Sequence, residues 1–437
     1  MMVFVLPSLF IFTLLQASHL AYAGNPHNGD GGSSLKDKIK VVVVLIEENR
    51  SVDNILSGLT YTDQIDGAGH TKFCNPVNLT DPSQGEICAT PNATNVDADD
   101  PNHSVSGINL ELFGTFHPTS ASPETMMGFV AEQELAFNTT NRTRAAEVIT
   151  FYNEKDIPTI AAMSENYVVF DRWFCSVPGP TDPNRAYITS GTSYGHGQND
   201  NDFNIHALPQ KSIFQQLSEN NITWKNYFNS SFPPDAEFYN WTFTSGANVT
   251  NVIPLDQFFK DAAAGNLPQF VYINPECCSV QSFHPPSSMT DGQTFLKQIY
   301  EALRNSPQWD ELLYIVSFDE AGGYADHVPP PTNVPPGDNL TYTETAPDGK
   351  NVTFDFTRLG VRVPTWLISP WVGKGIVEHE GQNSGGTYSH TSIIHFVENL
   401  FGLEPLTPRV ADSATFEHLI LDKKRETVKD LPNPIEF

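Results

Sequence analysis

The chain has 437 residues, of which 39% are hydrophobic and 17% charged, enough to bury a sizeable core. Its charge is lopsided: 24 Lys and Arg against 51 Asp and Glu leave a formal net charge of −27. Such a surface repels phosphate backbones and anionic membranes, which excludes nucleic acid as a partner.

The N-terminus reads as a secretory signal over residues 1–23. Residues 3–15 are apolar apart from Pro7, Ser8 and Thr13, and Ala21-Tyr22-Ala23 is a small-x-small cleavage site. No Lys or Arg precedes the apolar run, which departs from the usual signal. The alternative, a membrane anchor, needs about 20 apolar residues, and neither this run nor any later one reaches that length. Residues 24–39 are expected to be flexible and residues 40–437 to form a single domain. Asn-x-Ser/Thr sequons at Asn78, Asn92, Asn102, Asn138, Asn141, Asn221, Asn229, Asn240, Asn248, Asn339 and Asn351 predict N-linked glycans on an exported chain. A twelfth sequon is at Asn49. In an oxidising compartment Cys74 and Cys88 close a short loop, and Cys175 pairs with either Cys277 or Cys278, leaving one thiol.

Residues 40–46 (KVVVVLI) form a continuous apolar, β-branched run, the pattern of a strand buried on both faces of a parallel sheet. Similar runs occur at 167–170, 269–273, 312–318 and 363–369. Between them, 212–220, 292–305 and 389–401 carry apolar residues at helical spacing. Strands alternating with helices predict an α/β fold, a mostly parallel central sheet with helices on both faces. Residues 71–103 and 329–350, rich in Pro, Asn, Asp and Thr, read as surface insertions.

Open α/β sheets place their sites beyond the carboxyl ends of the strands. Three clusters follow apolar runs. The first is Glu47-Glu48-Asn49-Arg50-Ser51. The second, after residues 170–177, is Thr181-Asp182-Pro183-Asn184-Arg185, which offers a hydroxyl, an acid and a guanidinium with the planar fork that suits phosphate. The third is Asp319-Glu320-Ala321-Gly322-Gly323, followed by Asp326-His327. Its paired carboxylates suit a divalent cation, and its glycines permit a sharp turn. His103, His284 and His390 stand in loops or at a helix start, where cations could meet a phosphate and protonate a leaving group.

In this order the clusters resemble the phosphoesterase family of non-specific phospholipases C and a bacterial acid phosphatase. The matching segments are residues 48–53, 181–185, 319–330 and 360–371, and the likeness runs from about residue 40 to residue 403. The resemblance implies an alkaline-phosphatase-like α/β fold and metal-supported phosphoryl transfer. It implies metal ligands at Glu48, Asn49, Thr181, Asp319 and Glu320, with the ion left open among Ca, Mg, Mn, Zn and Fe. It implies Thr181 as the nucleophile that carries a phospho-threonine, with Arg185, His103, His284, His327 and His390 about the phosphate. A glycan on Asn49 would block that site. Val52, Asp182, Ala321 and the Glu276-Cys277-Cys278 segment depart from the family pattern, and the last three make the rim less cationic. The expected function is a secreted phospholipase C acting on a phosphate ester such as a phospholipid. An acid phosphatase acting on monoesters is the alternative, and an inactive secreted binding relative a third reading.

Overall fold

The computed structural model describes residues 34–229, 232–277, 280–381 and 386–437. The expected signal segment and Cys278 lie outside the described residues. All described residues belong to one compact unit, Ser33–Phe437. Leu35–Lys38 form a short helix and Ile39 is buried.

The sheet has eight strands: β1 (Val41–Glu47), β2 (Val168–Phe170), β3 (Trp224–Phe228), β4 (Val252–Pro254), β5 (Phe270–Asn274), β6 (Leu312–Phe318), β7 (Thr365–Ile368) and β8 (Ile376–Glu378). Their order is β8-β2-β7-β6-β1-β5-β3-β4. Only β7 runs against its neighbours. All seven residues of β1 and of β6 are buried, as the continuous apolar runs require when both faces are covered. The register pairs Val41 with Leu312 and Glu47 with Phe318. The segments that follow β1 and β6 therefore emerge side by side at one edge.

The helices named below are α1 (Val52–Leu56), α2 (Val105–Phe113), α3 (Pro158–Asn166), α4 (Thr181–Ser190), α5 (Ile213–Glu219), α6 (Leu255–Ala264), α7 (Met289–Arg304) and α8 (Thr391–Phe401). They pack in two sets: α4 meets α5 and α8, and α7 meets α3 and α6. On α7, Phe295, Leu296, Ile299, Tyr300 and Leu303 form the buried stripe, and the Ser288 hydroxyl caps the first turn by accepting from Asp291 N–H.

Three strands escape a periodicity reading. Lys225 and Asn226 interrupt the apolar pattern of β3, and β4 and β8 are three-residue edge strands, too short to show a period. The expected 363–369 strand shortens to β7, since Pro364 has no N–H to give a ladder.

The 71–103 insertion is anchored more firmly than a surface loop. A hairpin of Cys74–Pro76 with Glu86–Cys88 is closed by the Cys74–Cys88 disulfide, and Asp97 is buried against Arg50 and the Tyr324 hydroxyl. The expected pairing of Cys175 with Cys277 is not made. Cys175 is a buried free thiol facing Val177 O, walled in where a Cβ on Gly360 would stand 2.2 Å from its Sγ. Cys277 is disulfide-bonded. Eight sequon asparagines are exposed (Asn92, Asn138, Asn141, Asn221, Asn229, Asn240, Asn339 and Asn351), whereas Asn49 is fully buried and closed to glycosylation.

Glu398 on α8 is fully buried, with one carboxylate oxygen accepting from Leu406 N–H and the other unpartnered. Burial pushes its carboxyl up to about 8. The unfolded chain ionises this group at lower pH than the folded chain does. The folded state is therefore penalised increasingly as pH rises from the unfolded value to about 8. Glu398→Gln should leave Tm unchanged near pH 4 and raise it at pH 8, as thermal unfolding at the two pH values will show.

Candidate active site

The loop before α4 is set by Asn184. Its Nδ2 donates to the carbonyls of Val177, Gly179 and Pro180 (3.0–3.1 Å), and its Oδ1 accepts from Val177 N–H (2.8 Å). Pro183 lies in the first helical turn, where its missing N–H costs nothing. Thr181 is thereby fixed as the first residue of α4, and Arg185, four residues on, shares its helix face.

Arg185 ties the strand ends together. Its Nη2 donates to Glu48 Oε1 (2.8 Å) and its Nε to Asp319 Oδ2 (2.9 Å), while Nη1 lies 3.5 Å from Asp235 Oδ1. Three of these residues are thus drawn from the ends of β1 and β6 and from the segment after β3. The guanidinium expected to clamp phosphate is engaged with carboxylates.

Asn49 and Glu320 are joined as well, Asn49 Nδ2 donating to Glu320 Oε1 (3.0 Å). Gly322 and Gly323, at φ 64° and 71°, make this approach possible. A Cβ on Gly322 would stand 2.7 Å from the Asn49 side chain, and one on Gly323 would stand 2.7 Å from Asn102 O.

Negative charge dominates the site. Burial, reinforced by Glu48, holds the Asp319 carboxyl well above the usual range, although Arg185 opposes it. Burial likewise raises Glu320, against His103, Gly322 N–H and Asn49. Burial, opposed by Arg185 and reinforced by Asp235 and Glu48, pushes Asp182 up to about 7. Burial works to lower His103, but Glu320 and Asp100 outweigh it and raise the ring above its ordinary value. His103 Nδ1–H donates to Pro101 O (2.7 Å), leaving Nε2 3.7 Å from Glu320. His284 holds Pro285 O through Nδ1 (2.6 Å), with Nε2 3.6 Å from Asp100.

A cavity of about 330 Å³ opens over this edge, lined by Glu48, Thr181, Asp182, Arg185, Asp235 and His284. Phe232, Pro233, Phe238 and Pro275 form its apolar part. Of the expected site residues, Glu48, Thr181, Arg185 and His284 share this cavity. Asn49, Asp319 and Glu320, all buried, and the half-buried His103 form the adjoining cluster.

A divalent cation fits the donors of that cluster. Glu48, Asp319 and Glu320 supply hard carboxylate oxygens, and Asn49 Oδ1 is buried without a hydrogen-bond partner. Arg185 bridges Glu48 and Asp319, however, and the set is not drawn as tight as three others among the described residues. Those three, Asp53/Asp326/His327, His196/Asp200/Asp202 and Cys74/Glu86/Cys88, bring their ligand atoms within 4.8 Å of one another.

Two expected site histidines lie apart from the cavity. His390 Nε2–H donates to the Asp319 carbonyl (2.5 Å), and its Nδ1 accepts from the Trp173 indole (3.5 Å). Burial lowers His390 to about 3, so it is a neutral prop for the Asp319 backbone. His327 meets Asp53 (2.8 Å) and Asp66 (3.1 Å) beside the buried Arg362, which also holds Asp53 (3.1 Å) and Asp326 (2.9 Å).

Sequence reasoning missed Asp235. It is buried, held by the Tyr272 hydroxyl (2.6 Å) and Asn274 Nδ2 (2.7 Å), and follows a strand that Lys225 and Asn226 disguise. Recognising β3 would have placed Asp235 just beyond a strand end.

The Phosphoesterase family model matches residues 39–404. The chain belongs to the phosphoesterase family. It is 36% identical over 426 residues to non-specific phospholipase C1 of Arabidopsis thaliana, spanning 94% of this chain and 75% of that one. It is 26% identical to phospholipase C B of Mycobacterium tuberculosis, over 84% and 74% of the two chains. Among solved structures, the phosphonate monoester hydrolase of Agrobacterium radiobacter aligns with 62% of this chain and 74% of its own, at 13% identity and a TM-score of 0.36. A Vibrio parahaemolyticus protein of the alkaline phosphatase superfamily aligns with 59% and 63%, at 10% identity and a TM-score of 0.34. As a member of this family the protein is a hydrolase acting on phosphoric ester bonds.

Because His327 is engaged by Asp53 and Asp66 outside the cavity, His327→Gln should destabilise the fold by about 1–3 kcal/mol. In purified protein it should lower kcat by far less than the ~100-fold that loss of a general acid entails. A hundredfold loss at unchanged Tm would place His327 in the chemistry.

Proposed function

We propose that this phosphoesterase is a secreted, metal-dependent enzyme of phospholipase C type that works through a phospho-threonine on Thr181. The observation that carries this reading is the placement of Thr181 and Arg185, one turn apart on α4, in the same cavity as Glu48. Thr181 opens a ten-residue helix, whose dipole favours an anion at that end.

Thr181 Oγ1 gives up its proton to solvent as it attacks phosphorus in line, and the phosphorus–glycerol oxygen bond breaks as the new bond forms. His103, whose acidic neighbours favour its protonated form, and His284 on the cavity wall would serve as proton donors to the departing alkoxide. Water then cleaves the phospho-threonine. Arg185 keeps Glu48 and Asp319 in place and balances their charge throughout. Glu48, Asn49, Asp319, Glu320 and Thr181 would hold a divalent cation, whose chemistry is to lower the pKa of the threonine hydroxyl and neutralise phosphoryl charge.

The apolar wall of Phe232, Pro233, Phe238 and Pro275 favours a phospholipid over a small polar monoester. Secretion rests on the signal-like sequence at 1–23 and the exposed sequons, which would carry N-linked glycans. Among the described residues no helix is long and apolar enough to cross a membrane.

Thr181→Ala should lower turnover of a short-chain phospholipid by on the order of 10³-fold or more while Tm holds. Near wild-type rates in that variant would refute the covalent route. Chelation should abolish turnover and lower Tm, with both restored by added divalent cation. Activity indifferent to exhaustive chelation would remove the metal from the account.

A further inference from the structure

Most acids of the cavity have partners within it. Arg185 is committed to Glu48, Asp319 and Asp235, and Asp235 is further occupied by Tyr272 and Asn274. Asp182 differs from these. It is half-buried on the cavity wall beside Thr181, and its backbone N–H donates to Asn199 Oδ1 (2.8 Å). Among the described residues its carboxylate makes no hydrogen bond or ion pair within bonding distance. The same cavity carries the rings of Phe232, 59% exposed, and Phe238.

A carboxylate that makes no hydrogen bond or ion pair, in a cavity with aromatic faces, is the chemistry that recognises an alkylammonium group. An anionic head group would face the Asp182 carboxylate and be repelled. We propose that Asp182 is a specificity-determining residue, which makes the cavity favour phosphodiesters with an alkylammonium head group over those with a neutral or anionic one. This rests on the phospholipase C reading of the same cavity.

The test is kcat/KM at pH 8 for dihexanoyl phosphocholine and dihexanoyl phosphoglycerol, each below its micelle concentration so that surface charge plays no part. The wild-type protein should favour the choline ester by about tenfold or more. Asp182→Asn should lower the choline value, chiefly through KM, and raise the glycerol value, so the ratio moves toward one. Asp182→Glu should keep the preference. A wild-type ratio near one overturns the proposal. So does a ratio unmoved in Asp182→Asn while both rates fall together, the signature of a merely structural role. Both of those outcomes leave the phospholipase C reading standing. Turnover of neither ester by the wild-type protein would bring down that reading and the proposal with it.

Discussion

One guanidinium organises the active edge of this protein. Arg185 reaches from the first turns of α4 to carboxylates that follow three different strands, Glu48 after β1, Asp319 after β6 and Asp235 after β3. All four side chains are almost wholly removed from water. Unpaired carboxylates at such depth would be costly, and breaking one buried pair of this kind costs about 3–5 kcal/mol. The network therefore does two things together. It makes the sheet edge foldable, and it fixes α4, with Thr181 at its start, over the strand ends.

The rest of the site follows from accommodating the remaining acids. Asn49 donates to Glu320, and Gly322 and Gly323 let that segment lie against Asn49 and the His103 loop without a clashing Cβ. His390, neutral and pinned by Trp173, supports the Asp319 carbonyl from behind. The raised Asp319 and Glu320 carboxyls and the unpartnered Asn49 oxygen describe a cluster that a hard cation would relieve. Asp182 adds a carboxylate on the cavity wall that makes no hydrogen bond or ion pair.

Much of this was legible in the sequence because the physics is local. Strands β1 and β6 declared themselves through unbroken apolar runs, and both end in carboxylates, so the site lay where open α/β sheets keep theirs. The residue types of the Thr181–Arg185 cluster pointed to phosphate chemistry, although the helix that carries them did not declare itself. What was hidden depends on direction and on distant partners. Lys225 and Asn226 masked β3 and with it Asp235. His327 and His390 stand within telling motifs, but their rings turn to Asp53 and to the Asp319 backbone, which no spacing reveals. Cys175 was expected in a disulfide, yet close packing of Gly360 encloses its thiol.

The central claim is phosphoryl transfer to Thr181, and the most direct measurement looks for the adduct itself. Wild-type protein would be mixed with excess dihexanoyl phosphocholine, quenched in acid during turnover, digested and mapped by mass spectrometry. The account predicts a phosphocholine adduct on the peptide that carries Thr181, absent when substrate is omitted. Steady turnover with Thr181 unmodified, or with the adduct on another residue, would contradict it.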